Sequence, residues 1–507
     1  MKPNRTFDTH NSGTPRNWLA PAACLAVAGV AAALVVAGPA SSQPGAKAAT
    51  RKPNLVFIMA DDLGYADLGC YGQTKISTPH IDRIAREGVR FTDFYAGAPV
   101  CAPSRGTLMT GLHTGHSFVR NNRELEVEGQ IPLPEGTLTV ASLLKKQGYA
   151  TGMFGKWGLG YTGSSGEPNR LGWDSFFGYI CQREAHSYYP DHLWRNTEKV
   201  PLDGNEGGLT TGKQYSHDLI AEETLQFVRK NKDRPFFLYV PFTTPHLSLS
   251  VPEDSLAEYR GKFPENPYPG TKGKFGYVPQ PHPRAAYAAM ITRMDRDIGR
   301  LLDVIKQSGI DDNTLVIFTS DNGPWFDVVL PGGPFFHSAG SFRAGKGSVY
   351  EGGLRVPLVA RWPGKVPPGS EQRHAAYFPD VMPTLVELSG APAPSQTDGV
   401  SFAPALLGKS GQKEHAVMYW EFPTQGGQQA VRIGRYKGVR RGIASGKAKI
   451  EVYDLLTDVG EATDISAQHP EIVHQVTALF NSEHTPWKLF PLPGVDAGAK
   501  AGGSGGD

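Results

Sequence analysis

Two uninterrupted stretches of mostly apolar residues, 54–60 and 314–320, stand out in the pattern of hydrophobic and polar positions. Neither alternates polar with apolar side chains, which is typical of strands buried on both faces of a parallel sheet. Between such stretches lie helical patterns, the clearest at 285–307, where apolar residues recur every three or four positions. This alternation predicts an α/β fold with a large, mostly parallel sheet flanked by helices.

The pattern also divides the chain. The segment Ala-Pro-Ala-Pro-Ser at 391–395 predicts a linker between a large domain over 49–390 and a smaller α+β domain over 396–493. Residues 161–215 contain many turn residues and predict loops around a site. The Gly- and Ala-rich tail over 494–507 is predicted to be disordered.

The N-terminal residues 1–48 predict a signal peptide and leader. Basic residues precede an apolar run over 18–37, and small residues follow it. An uncleaved membrane anchor is the alternative, because the run is just long enough to span a bilayer. Both interpretations predict that the folded part is exported, either to the periplasm or out of the cell.

Composition excludes some classes of partner. The chain has 51 Lys and Arg against 49 Asp and Glu, a net charge of +2, so no basic field predicts nucleic-acid binding. Of the 4 cysteines, Cys70, Cys101 and Cys181 lie beyond the leader, and their spacing fits neither a zinc site nor a disulfide framework. Cys70 and Cys181 are either a disulfide pair or two buried thiols.

Polar residues directly follow both apolar strands, Asp61 and Asp62 after the first and Asp321 and Asn322 after the second. Because ligands bind at the carboxyl ends of strands in such sheets, these side chains are expected to meet there. Hard oxygen ligands favour Ca²⁺ or Mg²⁺ over zinc. Acidic residues after strands also serve as ordinary loop and cap residues, which is the alternative.

A lone cysteine, Cys101, stands two residues before Pro103 and one helical turn before Arg105. Proline suits a first turn and Gly111 suits the residue after a last turn, which predicts a helix beginning near Cys101. A thiol at a helix N-terminus beside a fixed positive charge has a lowered pKa and attracts anions. The alternative is a small buried cysteine before an ordinary helix.

The run Cys-x-Pro-Ser-Arg at 101–105, with Leu-x-Thr-Gly at 108–111, resembles the signature of the sulfatase family, in the alkaline-phosphatase-like superfamily. The resemblance implies that Cys101 is oxidised to formylglycine by a formylglycine-generating enzyme, and that the hydrated aldehyde is the nucleophile. It also implies a bound Ca²⁺, with Mg²⁺ as an alternative. The implied metal ligands are Asp61, Asp62, Asp321, Asn322 and the modified Cys101.

The resemblance extends to the basic residues. It implies that Arg105, Lys156 and Lys346 stabilise charge on the transferring sulfuryl group and that His246 protonates the leaving alcohol. Taken alone, a lysine is usually solvated and a histidine after a strand is usually a loop residue. Lys346 lies in a glycine-rich loop, which lets backbone approach an anion closely.

One position departs from the family pattern. Many members carry histidine after Gly-Lys-Trp, as a proposed base in regenerating the aldehyde, and this chain has Gly158. The base is therefore unassigned, with His116, His337 and Asp321 as candidates.

The expected reaction is hydrolysis of an aryl or carbohydrate sulfate ester, including sulfated polysaccharide. A phosphodiesterase or phosphonate hydrolase with the same nucleophile and metal is one alternative. A catalytically inactive homologue that binds sulfated glycans is another, but a binder would not need to keep Cys101 together with the four metal ligands.

Overall fold

The computed structural model describes residues 51–125, 128–207, 211–271, 276–329 and 334–497, so the predicted leader and residues 498–507 of the predicted tail lie outside the described residues. The strands are β1 (Asn54–Ala60), β2 (Val89–Phe91), β3 (Phe94–Tyr95), β4 (Glu124–Leu125), β5 (Gly129–Gln130), β6 (Ala150–Lys156), β7 (Ser175–Tyr179), β8 (His192–Arg195), β9 (Glu198–Pro201), β10 (Phe236–Pro241), β11 (Thr314–Ser320), β12 (Leu358–Arg361), β13 (Ser370–Gln372), β14 (Ala376–Tyr377), β15 (Met418–Phe422), β16 (Gln428–Ile433), β17 (Tyr436–Arg441) and β18 (Ile450–Asp454). The helices are α1 (Pro79–Arg86), α2 (Cys101–Thr110), α3 (Val140–Lys146), α4 (Ser216–Asn231), α5 (Glu253–Leu256), α6 (Pro283–Gln307), α7 (Phe326–Val329), α8 (Glu351–Leu354), α9 (Val381–Leu388), α10 (Ala403–Leu406) and α11 (Pro470–Ser482).

The main sheet has the strand order β13-β2-β12-β11-β1-β10-β6-β7-β8-β9. Its central strands β11, β1, β10, β6 and β7 run parallel. Strand β12 is antiparallel to β11, and β8 and β9 continue the other edge antiparallel. The sheet is therefore mixed but mostly parallel, and the predicted α/β fold class is confirmed.

Both faces of the sheet are covered, as the apolar strands predict. Along β1, Val56 and Ile58 face one hydrophobic core, which includes residues of α1, α4 and α6. Leu55, Phe57 and Met59 face the other, which includes residues of α2, α3 and α9. The burial of every residue of β1 explains why its sequence does not alternate.

A second, antiparallel sheet of order β15-β16-β17-β18 forms the C-terminal domain. One face packs against α11 through Val476 and Phe480. The other face packs against the large domain, where Trp420 lies among Tyr95 and Tyr377. The residues from Arg51 onwards cluster as one compact unit, and the domain boundaries around 391–395 stay predictions.

Residues 161–215, expected to be loops, contribute β7, β8 and β9 to the edge of the main sheet. These strands are short, and glycines and aromatic residues interrupt any regular pattern. Cys70 and Cys181 are free thiols that pack against different hydrophobic cores, which excludes a disulfide bond between them. Among the described residues, no helix is both long and apolar enough to cross a membrane.

Candidate active site

The ends of β1 and β11 bring the acidic residues together. The two strands are paired in register up to Ala60 and Ser320, so Asp61 and Asp321 leave the sheet side by side. Asp62 then adopts a left-handed conformation at φ 61° and donates its backbone N–H to Asp321 Oδ1 at 3.1 Å. Aspartate tolerates this conformation better than most residues. The predicted meeting of these residues at one edge of the sheet is what the structure has.

Helix α2 begins at Cys101, as predicted, and ends at Gly111, whose φ of 70° is the left-handed conformation that glycine favours. The Cys101 thiol donates to Asp61 Oδ1 at an Sγ–O distance of 3.4 Å. The N-terminus of the helix is fixed by Asn122 Oδ1, which accepts from the Ala102 N–H at 3.0 Å. The helix therefore carries Cys101 to the acidic residues.

The predicted lowering of the Cys101 pKa is wrong. Burial raises the pKa of this thiol well above its ordinary value, and the Asp61 carboxylate raises it further, against the opposing charge of Lys156. A buried thiol beside a carboxylate is a weak nucleophile. The protein groups around Cys101 therefore do not by themselves activate an unmodified cysteine.

Arg105 is directed at the carboxylates. Its guanidinium donates to Asp321 Oδ2 at 2.7 and 3.2 Å and to Asp61 Oδ2 at 3.1 Å. A further N–H donates to the Lys156 carbonyl at 2.7 Å, and the side chain is 1% exposed. Arg105 thus fixes two acidic side chains and the end of β6 in one arrangement.

Two lysines reach the same acids from separate segments. Lys156, the last residue of β6, donates from Nζ to Asp61 Oδ2 at 2.7 Å. Lys346 donates from Nζ to Asp62 Oδ2 at 3.1 Å. The Lys346 loop is held beside the Cys101 loop because the Gly347 N–H donates to the Pro99 carbonyl at 2.8 Å.

His246 joins this group through Nε2, which accepts from Lys346 Nζ at 3.1 Å and lies 3.4 Å from Asp62 Oδ2. Its Nδ1 contacts the Leu247 carbonyl, so Nδ1 carries the hydrogen and Nε2 is the acceptor. Burial and the Lys346 charge lower the pKa of His246 well below its ordinary value. His246 is therefore held neutral, with its proton-accepting atom facing Lys346.

The donor set fits a divalent cation. Ligand atoms of Asp61, Asp62, Cys101 and His246 lie within 4.8 Å of one another. Asn322 Oδ1 is buried without a hydrogen-bond partner in the described structure, although Asn322 Nδ2 donates to Asp62 Oδ1 at 2.7 Å. Burial and the Asp61 charge raise the pKa of Asp321 to about 7, against the opposing effect of Arg105. Crowded carboxylates beside an unpaired amide oxygen are what a hard cation stabilises.

A family model described as Sulfatase matches residues 53–391, which contain all of these site residues. The chain belongs to the sulfatase family. A second model, the N-sulphoglucosamine sulphohydrolase C-terminal family, matches residues 342–484 of the sulfatase. The residues that resemble the family signature are thus part of a family-wide match, and the protein is a sulfuric ester hydrolase.

Curated relatives cover most of the sulfatase. Arylsulfatase A of Homo sapiens is 35% identical over 420 residues, covering 77% of this chain and 75% of the human protein. N-acetylgalactosamine-6-O-sulfatase of Bacteroides thetaiotaomicron is 29% identical over 508 residues, covering 86% and 94%. The crystal structure of Ps i-CgsB in complex with k-i-k-neocarrahexaose is similar, with a TM-score of 0.71, 28% identity and coverage of 86% of this chain and 94% of that one.

The structure separates the candidates for the missing base. Asp321 lies in the site, but both of its oxygens accept hydrogen bonds there. His116 instead pairs with Asp398 at 3.0 Å, and His337 is exposed.

Two residues beside the site, Gln182 and His186, are not predicted from the sequence. The His186 ring stacks on His246 at a centroid distance of 4.8 Å. Gln182 lies against Gly158, with Nε2 only 1.9 Å from where a Cβ on that glycine would be. Both lie in the segment expected to be loops, where no local pattern distinguishes them from other polar residues.

Proposed function

We propose that this sulfatase hydrolyses aryl or carbohydrate sulfate esters to an alcohol and inorganic sulfate, with its nucleophile derived from Cys101. The observation that carries the proposal is the position of Cys101. It is buried at the start of α2, in contact with Asp61, and Asp61 in turn pairs with Arg105 and Lys156. Burial and the Asp61 carboxylate raise the pKa of the unmodified thiol, so the protein groups alone activate it poorly. Conversion to formylglycine would replace it with a hydrated aldehyde, whose two hydroxyls allow attack on sulfur and later release of sulfate.

The proposed cation is Ca²⁺, with Mg²⁺ as an alternative. Its proposed protein ligands are Asp61, Asp62, Asp321, Asn322 and the modified residue 101. When bound, it would polarise the nucleophile and offset the charge that builds up on the transferring group. Arg105 is expected from the sequence to stabilise charge on the sulfuryl group. Because its guanidinium donates to Asp61, Asp321 and the Lys156 carbonyl, we propose instead that it holds the two acidic ligands in place.

The remaining site residues act on the substrate. An ammonium group has three donors, so Lys156 can donate to Asp61 and to a sulfuryl oxygen at the same time. The ammonium of Lys346 lies beside Asp62 and His246, where its positive charge attracts the sulfuryl group. Both therefore stabilise negative charge on the transferring group. His246 Nε2 is the proposed carrier of the proton for the leaving oxygen. Because Nε2 has no hydrogen of its own, it would take a proton from the Lys346 ammonium, which donates a hydrogen bond to it, and pass one to the leaving oxygen.

The physiological substrate is proposed to be a sulfate ester on a polysaccharide. The relative named N-acetylgalactosamine-6-O-sulfatase and the k-i-k-neocarrahexaose in the Ps i-CgsB complex support this proposal. We also propose export, from the predicted leader, and maturation by a formylglycine-generating enzyme.

Mass spectrometry of the peptide containing residue 101 tests the modification, after expression with a formylglycine-generating enzyme. The matured protein should release nitrophenol from 4-nitrophenyl sulfate faster than from bis(4-nitrophenyl) phosphate. The Cys101→Ala variant should lose this activity, whereas Cys70→Ala, which removes a free thiol elsewhere, should keep it. Equal activity in Cys101→Ala would contradict the proposal, and faster cleavage of the phosphate diester would favour a phosphodiesterase.

A further inference from the structure

The segment 182–186 holds two buried side chains with unmet hydrogen-bonding groups. Gln182 is 4% exposed and His186 is 6% exposed. Both amide atoms of Gln182, and Nδ1 of His186, have no hydrogen-bond partner in the part of the chain that the structure describes. Buried polar atoms are nearly always paired in folded proteins, so an unpaired set on one short segment indicates a partner that is absent from the protein itself.

Both side chains border residues of the proposed reaction. The His186 ring lies nearly parallel to the His246 ring, at 4.8 Å between centroids and 14° between planes. Gln182 lies against Gly158, two residues after Lys156, whose ammonium pairs with Asp61. The segment 182–186 therefore reaches His246 at one end and the neighbourhood of Lys156 at the other.

We propose that Gln182 and His186 form a carbohydrate-recognition wall in the active site, where they hydrogen-bond hydroxyl groups of the sulfated sugar and select against aryl sulfates. This inference rests on the proposed function and specifies its substrate class. A carboxamide offers a donor and an acceptor, imidazole Nδ1 offers one or the other, and a sugar hydroxyl can match each of them. An aromatic alcohol would leave these buried atoms unpaired, which is how a polar pocket rejects an apolar substrate.

The glycine at 158 has a role in this arrangement. A Cβ there would meet the Gln182 amide, so any side chain at 158 would displace the carboxamide from its position. The φ of 81° at Gly158 also favours glycine. In this protein, the glycine at 158 therefore leaves the space that the Gln182 carboxamide fills.

Gln182→Leu and His186→Phe test the wall, because each removes the polar atoms and keeps a side chain of similar size. The quantity measured is the ratio of kcat/KM for a sugar monosulfate to kcat/KM for 4-nitrophenyl sulfate. The sugar probes are N-acetylgalactosamine 6-sulfate and the galactose 4- and 6-sulfates. We expect each variant to lower this ratio by roughly 10- to 100-fold for the best sugar probe, the cost of a lost buried hydrogen bond. Gln226→Leu, at an exposed position of α4, is the matched control and should leave the ratio unchanged.

The outcomes separate this inference from the proposed function. An unchanged ratio, or an equal loss on both substrates, overturns the wall and leaves the sulfatase reaction standing. If the wild-type protein hydrolyses nitrophenyl sulfate but none of the sugar probes, the wall is also overturned, and the sulfatase reaction still stands.

A binding measurement covers the case in which no ester is hydrolysed. Calorimetry then compares N-acetylgalactosamine 6-sulfate binding to Cys101→Ala and to Cys101→Ala/Gln182→Leu. A roughly tenfold weaker affinity in the double variant supports the wall, since one hydrogen bond is worth about that much. Equal affinities overturn it.

Discussion

The backbone N–H of Glu351 donates a hydrogen bond of 2.6 Å to Glu461 Oε2, which joins the segment after the Lys346 loop to the C-terminal domain. Lys437 Nζ lies between the same two residues, 2.8 Å from Glu351 Oε1 and 2.9 Å from Glu461 Oε1. All three side chains are fully buried. The C-terminal domain therefore holds the segment that directly follows the Lys346 loop.

Removing the charge at the centre of this contact should destabilise the protein. Lys437→Met would leave two buried carboxylates facing each other, and breaking such a group costs about 3–5 kcal/mol. Chemical denaturation should show this loss of unfolding free energy. Lys447→Met, at an exposed position, is the control. An equally small effect of both variants would show that the contact does not stabilise the fold.

Arg105→Gln should damage both stability and activity. The substitution removes the donors to Asp61 and Asp321 and leaves these carboxylates buried with less compensation, at a cost of about 3–5 kcal/mol. We expect a drop in kcat/KM of roughly 100-fold or more, since charge-preorganising groups contribute on that scale. Arg105→Lys is the informative comparison, because a lysine keeps the charge and loses the fork of donors. Full activity in Arg105→Gln would contradict the positioning role.

Asn322→Leu should weaken cation binding. It removes the buried Oδ1 atom that lacks a partner among the described residues, and with it one proposed ligand. We expect Ca²⁺ to raise the unfolding temperature of the chelator-treated wild-type protein, and to raise that of Asn322→Leu much less. Asn481→Leu, at an exposed position of α11, should respond like the wild type. A full Ca²⁺ response in Asn322→Leu would remove this residue from the ligand set.

His116→Gln should have a pH-dependent effect on stability. The hydrogen bond to Asp398 raises the pKa of His116, so its charged form stabilises the folded protein. This stabilisation is complete below the unfolded pKa of about 6.5 and is lost as the pH rises through the higher folded value. His116 lowers the pKa of Asp398 against the effect of burial, which keeps the carboxylate charged at pH values near 6.

Thermal unfolding of wild-type and His116→Gln proteins should therefore differ most near pH 6 and little near pH 9, because the ion pair exists only at the lower pH. His337→Gln, at an exposed position, controls for the loss of a histidine. A difference that is the same at both pH values would assign the effect to packing rather than charge.

Several parts of the site could be predicted because the signals are local. Asp61 and Asp321 directly follow buried apolar strands, and the start of α2 is marked by Pro103 and its end by Gly111. The direction of Arg105 could not be predicted, since its partners lie 44 and 216 residues away along the chain. The sequence predicted a lowered pKa for Cys101 for the same reason: it does not show burial, which depends on everything packed around the thiol and raises that pKa.

The sequence by itself determined the two buried strands β1 and β11, the helix that begins at Cys101, and the set of residues able to hold a cation and an anion. Those features follow from periodicity, capping and side-chain chemistry, which act over a few neighbouring residues. Only the tertiary structure decided that Gln182 fills the space beside Gly158 and that His186 stacks on His246. Such contacts join segments that follow different strands of the sheet, and their geometry exists only after the chain has packed.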